Sequence, residues 1–341
     1  MKTFAPLLAA FLLAAAPVRA QETHAAPAPA AEQHDSTPAS DTAMVHGAAT
    51  ETHDGGAAEG EHAGPTDIIT PHITNSDHLE VPYWKFPFFK EVALPHWAPI
   101  HVGPLELDLS PTKHVVFLLL GATILFLVMV LVARSQARAA KGGNPPKGFA
   151  NAMEAMVLYI RNEVILPNVG HHGEGFVPYL LTAFFFILTL NLLGLVPFGS
   201  TATGNISVTA TLAILTFLTV EVAGIRANGL GYLSTIFYWN TELAFPMRVL
   251  MFLIMSPVEM IGKLTKPFAL AIRLFANMTA GHIVVLALMG LVFTFASVIS
   301  AAPLLMAVLI MVLELFVAFL QAFIFTLLSS VFIGQIREAH H

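Results

Sequence analysis

The sequence predicts an all-α polytopic membrane protein of about five crossings. Three observations carry that reading. Apolar residues make up 56% of the chain and charged residues only 11%, where a soluble chain carries roughly a quarter charged residues. Mean hydropathy is +0.72. The apolar runs are about 20 residues long, the length a helix needs to cross hydrocarbon, and they are not the alternating segments of about ten that a barrel uses. The absence of cysteine rules out disulfides and thiolate-bound metals.

Residues 1–20 read as a signal peptide. Lys2 supplies the charged start, Leu7–Ala16 the apolar core, and Val18-Arg-Ala20 a small-residue cleavage pattern. Residues 21–66 read as a disordered tail, rich in Ala, Pro and His and unable to bury enough apolar surface to fold. The acids Glu22, Glu32, Asp35, Asp41, Glu51, Asp54, Glu59 and Glu61 lie there with no Lys or Arg. The net charge of −6 therefore belongs to the tail and implies no basic partner for the rest. The tail histidines (His24, His34, His46, His53, His62) are irregularly spaced and define no ordered metal site. Residues 67–112 mix prolines with Tyr83, Trp84, Phe89 and Trp97, which suits an interfacial segment.

The membrane domain is expected over 113–338. Its first span, about His114–Ala133, is followed by Arg134, Arg138, Lys141 and Lys147, which mark the cytoplasmic side. This agrees with an exported N-terminus. Phe149–Pro167, with Glu154, Arg161 and Glu163, is too polar to span and reads as an amphipathic interfacial helix. The second span is placed at about Phe176–Val196 and the third at about Ile206–Ala223, with Glu221 and Arg226 taken as interfacial counterparts. His171-His172-Gly-Glu174 reads as a loop without metal. Met247 to Ser300 and Pro303 to Ile336 are each too long for one perpendicular crossing, and two tilted helices forming a hairpin account for both. Five crossings leave the C-terminus, with Arg337, in the cytoplasm.

Polar residues inside these long runs carry the functional argument, because ionisable groups at membrane depth are expensive. Glu259, Lys266, Arg273 and Asn277 fall within roughly 40° of one another on one helix and form a stripe about 27 Å long. His282 points to the opposite side, while Glu314 and Gln321, seven residues apart, share a face of the last helix. A His and a Glu can pair and relay protons, since both titrate. An Arg cannot, because it stays protonated at any pH a cell sees. Set between two wet regions, Arg273 would force an arriving carboxylic acid to ionise and would block a direct proton leak. Blander readings stand beside these: Lys263, Lys266 and Glu259 as interfacial side chains, and Asn277 and Gln321 as hydrogen bonds between helices.

At these residues the sequence becomes specific. Lys266-Pro-Phe-Ala-Leu-Ala-Ile-Arg-Leu-Phe-Ala-Asn-Met-Thr-Ala-Gly-His282 closely resembles the signature of subunit a of the F-type ATP synthase. Leu320-Gln-Ala-Phe-Ile-Phe325, Asn191-Leu-Leu-Gly-Leu-Val-Pro197 and Asn205-Ile-Ser-Val-Thr209 resemble that family's other span motifs, in order, and the likeness covers about 75–338. It implies a proton-translocating stator subunit of a rotary motor in a bacterial inner membrane. Its partners would be the c-ring, the peripheral stalk subunit b and lipid. Arg273 would face the ring carboxylates, with His282, Glu314, Asn277, Gln321, Glu259, Lys266 and Asn191 along two offset half-channels. In many bacterial members the residues matching His282 and Glu314 are Glu and His; the exchange here keeps one acid and one base. Gly262 stands where a half-channel Ser is expected. No cofactor, metal or nucleic acid is implied, and the chain has no Gly-x-x-x-x-Gly-Lys-Ser/Thr loop, so nucleotide would bind another subunit. The alternatives are a stand-alone ion transporter or channel, a Na⁺-coupled version of the same subunit, and a structural scaffold.

Overall fold

The computed structural model describes residues 18–19, 78–82, 89–96, 100–102, 105–107, 110–142, 148–170, 173–196, 201–232, 245–295 and 298–338. The expected signal peptide and tail lie outside the described residues, apart from Val18–Arg19. Among the described residues five helices are long and apolar enough to cross a membrane, so the chain is an all-α, multi-pass membrane protein.

Short strands precede the helices. Val18–Arg19 (β1), Ile100–Val102 (β4) and Leu105–Leu107 (β5) form one antiparallel set in the order β1-β5-β4. His78–Pro82 (β2) and Phe89–Ala93 (β3) pair antiparallel, with Glu80 opposite Glu91. The expected interfacial segment thus contains paired strands, which satisfy backbone groups that irregular chain would leave open.

The first spanning helix, α1, is Lys113–Gly142. It runs past the expected end at Ala133 because the basic residues that follow continue the helix. At about 45 Å for 30 residues it outreaches the hydrocarbon, and its Arg and Lys heads extend into water. Gly121 lets it approach the next span, since a Cβ there would stand 2.6 Å from Leu190.

Phe149–Tyr159 (α2), a π-helical turn at Ile160–Ile165 and Leu166–Val169 (α3) make the interfacial helix. The i→i+5 pairing of the wide turn brings Ile160, Val164 and Ile165 all inward, leaving Asn162 and Glu163 exposed. Its end is clamped to the last helix. Arg337 donates to the carbonyl of Val169 at 3.2 Å, and Gly334 abuts the carbonyl of Asn168.

Val177–Gly194 (α4) and Ile206–Asn228 (α5) supply most of the buried packing, with Leu180, Phe184, Ile187 and Leu190 at its centre. Asn205 caps α5 by accepting from the Ser207 amide at 2.9 Å. The helix ends on Gly229, whose φ of 56° suits a residue without a side chain. Threonine hydroxyls inside these spans bond back one turn, as Thr189 does to Phe185 and Thr216 to Leu212.

Phe245–Phe295 (α6) and Ala301–Glu338 (α7) are joined through a short turn at Val298–Ser300 and pack on each other as the expected hairpin. At about 1.5 Å per residue the 51 residues of α6 are far longer than a bilayer is thick, so α6 must lie oblique to any membrane normal. Pro257 and Pro267 sit within it.

Candidate functional site

The polar residues of α6 divide by face. Glu259, Lys266, Arg273 and Asn277 are all exposed. Leu264, Phe268 and Ile272, exposed too, lie on the far side of the helix from this stripe, and the exposed apolar neighbours of Arg273 one turn away are the small Ala269 and Ala276. Among the described residues Arg273 makes no ion pair. Leu270, Ala271, Leu274 and Met278 form the adjoining, buried face. The helix thus turns an apolar side inward and a partly charged side outward.

On the other arm of the hairpin, α7 buries Glu314 at 6% exposure and Gln321 at 5%. The Glu314 carboxyl lies against Gly281, where an added Cβ would stand 2.8 Å from Oε1. The residue after Gly281 is His282, half-buried. The acid of one hairpin arm therefore sits against the segment that carries the histidine of the other. Asn191 on α4 is fully buried. Its amide donates to the Ala318 carbonyl at 3.2 Å and its oxygen accepts from the Thr203 hydroxyl at 2.8 Å. One side chain so joins α4, the turn before α5, and α7, three residues before Gln321.

A separate cleft of about 140 Å³ opens between α5, α6 and α7. Glu221, Glu259, Lys263, Lys266 and Gln335 line it, with Phe332 and Leu270. Lys266 donates to Gln335 Oε1 at 3.4 Å, and its ammonium lies 5.1 Å from the Phe332 ring centre. Glu221 is not the bland interfacial partner of Arg226 expected from sequence. It accepts from the Tyr232 hydroxyl and lies 4.0 Å from Lys263. Lys263 donates to that same hydroxyl at 2.7 Å. Burial first, then the bond to Glu221, pushes the Tyr232 hydroxyl above its ordinary value. It remains a protonated donor across the physiological range.

The structure thus brings Glu259 and Lys266 into one cleft, and Glu314 against the segment bearing His282. Arg273 and Asn277 stand on the open face in between. Sequence reasoning missed Glu221, Tyr232 and Gln335 as site residues. The only signal for the first was an acid within an apolar span. Among the described residues no group of three or more metal-ligating side chains occurs.

Together these features define a multi-pass membrane protein with ionisable side chains set into its apolar helices, the arrangement of ion-moving membrane subunits. The profile of one family, the ATP synthase A chain, matches residues 115–334. ATP synthase subunit a of Chlorobium phaeobacteroides strain BS1 is 45% identical over 320 residues, covering 91% of this chain and 88% of its own. ATP synthase subunit a 2 of Chlorobium luteolum is 43% identical, covering 100% of this chain and 96% of its own. ATP synthase subunit a of Chloroherpeton thalassium is 50% identical over 248 residues, 72% of each chain. The chain belongs to the ATP synthase subunit a family, and so to the membrane sector that couples ion transport to ATP synthesis.

Proposed function

We propose that this chain is the proton-translocating stator subunit of an F-type ATP synthase, with Arg273 facing the carboxylates of a rotating c-ring. The observation that carries this reading is the α6 stripe. Arg273 is exposed beside the small apolar Ala269 and Ala276, and among the described residues it makes no ion pair. A permanent cation at membrane depth needs a partner, and an acid on a passing helix supplies one.

Two polar regions flank Arg273 along α6. Protons enter from the exocytoplasmic side past His282 and Glu314, with Asn277, Gln321 and Asn191 along that path, and load a ring carboxylate. After nearly a full turn of the ring they leave through the cleft of Glu259 and Lys266. The carboxylate that reaches Arg273 is held ionised, because a neighbouring cation lowers a carboxyl pKa, and no proton passes directly between the two regions. Each elementary charge crossing 100 mV releases about 2.3 kcal/mol, which supplies the torque. The N-terminus is exocytoplasmic and the C-terminus cytoplasmic, in an inner membrane, with peripheral stalk subunit b as a second partner. Nucleotide chemistry belongs to other subunits, and this chain is not itself the enzyme.

The test is Arg273→Ala and Arg273→Lys in vesicles carrying the assembled complex, with ATP-driven proton pumping and passive leak measured together. Pumping is expected to stop in both variants, and the Ala variant to leak. Unchanged pumping rejects the reading.

A further inference from the structure

We propose that Glu221, held in place by Tyr232 and Lys263, is a further proton-accepting group of the cleft that Glu259 lines. The inference rests on the assignment of that cleft as a proton path. Glu221 lies on α5, 42 residues from Lys263 (263 − 221), and only the fold brings the two together.

The three side chains form an ordered chain of donors. The Lys263 ammonium donates to the Tyr232 oxygen at 2.7 Å, and the Tyr232 hydroxyl donates to Glu221 Oε2. Both bonds point the same way, so the carboxylate is the accepting end. Lys263 holds the tyrosine a second time, its ammonium 4.2 Å from the ring centre. The ring in turn depends on Gly224, one turn after Glu221, where a Cβ would stand 2.5 Å from Cε2. The site is built from four residues of three segments.

Glu221 is not sealed in by these contacts. Its side chain keeps 20% of its surface open and lines the cleft with Glu259. The ammonium of Lys263 lies 4.0 Å from its Oε1 and holds that side of the carboxyl in place. The other titratable or charged groups facing it, among the described residues, are Tyr232, Glu259 and Lys266; α7 adds only the neutral Phe332, Gln335 and Ile336. In the pumping direction a proton from water binds the Glu221 carboxylate, giving the neutral acid. It then passes through water in the cleft toward Glu259 and the ring, restoring the carboxylate. No electron moves and no co-reactant is needed. Tyr232 and Lys263 are positioning residues.

The experiment uses vesicles carrying the assembled ATP synthase. ATP-driven proton pumping is recorded against the pH on the ATP side, and rates are normalised to the amount of subunit a in the membrane. Glu221→Gln is expected to slow pumping several-fold, with the deficit widening as pH rises, because capture from a scarcer proton supply becomes limiting. Glu221→Asp, which keeps a carboxyl, is expected to recover much of the rate. Tyr232→Phe is expected to give a smaller shift of the profile in the same direction. A Glu221→Gln complex with the native rate and profile overturns the proposal. So does one slowed equally at every pH, which is the signature of a purely structural role. Arg273→Ala measured in parallel separates the two readings. If it abolishes pumping while Glu221→Gln changes nothing, only this inference fails; if it leaves pumping intact, the stator assignment itself fails.

Discussion

The carboxyl of Glu314 rests on the backbone of Gly281, so close that a methyl group on Gly281 would stand 2.8 Å from Oε1 and 3.0 Å from the carboxyl carbon. This contact couples the two arms of the hairpin at one point. It requires a residue without a side chain immediately before His282, because any Cβ would occupy the space the acid now fills.

Gly281→Ala is therefore expected to displace the carboxyl without unfolding the hairpin, since the end of a flexible side chain can move aside more easily than backbone. Proton flux through the membrane sector should fall several-fold while the complex assembles normally. Passive proton uptake by vesicles stripped of the catalytic head measures it. An unaltered flux would mean that the position of this carboxyl does not matter.

His282 and Glu314 place one base and one acid on the two arms of the hairpin. If the pair acts as a unit, its members can be exchanged. His282→Ala and Glu314→Ala should each slow flux, and the double exchange His282→Glu with Glu314→His should recover a substantial part of it. Recovery no better than the single variants would show that the two positions act independently.

Asn191 is expected to matter for stability more than for flux. Its amide is fully buried and bonded on both sides, to Ala318 and Thr203. Asn191→Leu removes both bonds, leaves the Thr203 hydroxyl without its acceptor in an apolar setting and should cost about 1–2 kcal/mol. Thermal unfolding of the detergent-solubilised complex gives the readout, and Thr203→Val should reproduce part of the loss.

Gly334 makes a tighter prediction. A Cβ there would lie 2.0 Å from the carbonyl oxygen of Asn168, which is backbone and cannot swing away. Gly334→Ala must separate α7 from the interfacial helix, at a cost of about 1–3 kcal/mol by the usual scale of overpacking. The amount of subunit a retained in membranes should drop. Normal retention would place the two elements further apart than the structure has them.

Much of this was legible in the sequence. The five spans follow from apolar runs of the right length, and their helical form from the need of each backbone to satisfy itself inside lipid. The outward stripe of Glu259, Lys266, Arg273 and Asn277 follows from a period of 3.6 residues, which is a local property of one helix. Element ends were harder. α1 continues through Arg134 and Arg138, since a helix is not obliged to stop where the hydrocarbon does. Glu221 was misread because its nearest basic residue in sequence, Arg226, is not its partner in space.

The chain alone determined that a guanidinium would lie within an apolar helix and which side chains would share its face, because spacing along a helix is set by backbone geometry. Only the packed structure decided which faces meet. Glu221 reaches Lys263 and Tyr232 because Gly224 admits an aromatic ring, and Glu314 reaches the His282 segment because Gly281 leaves room for a carboxyl. Such pairings depend on shape complementarity between segments far apart in sequence, and no periodicity within one segment encodes the shape of another.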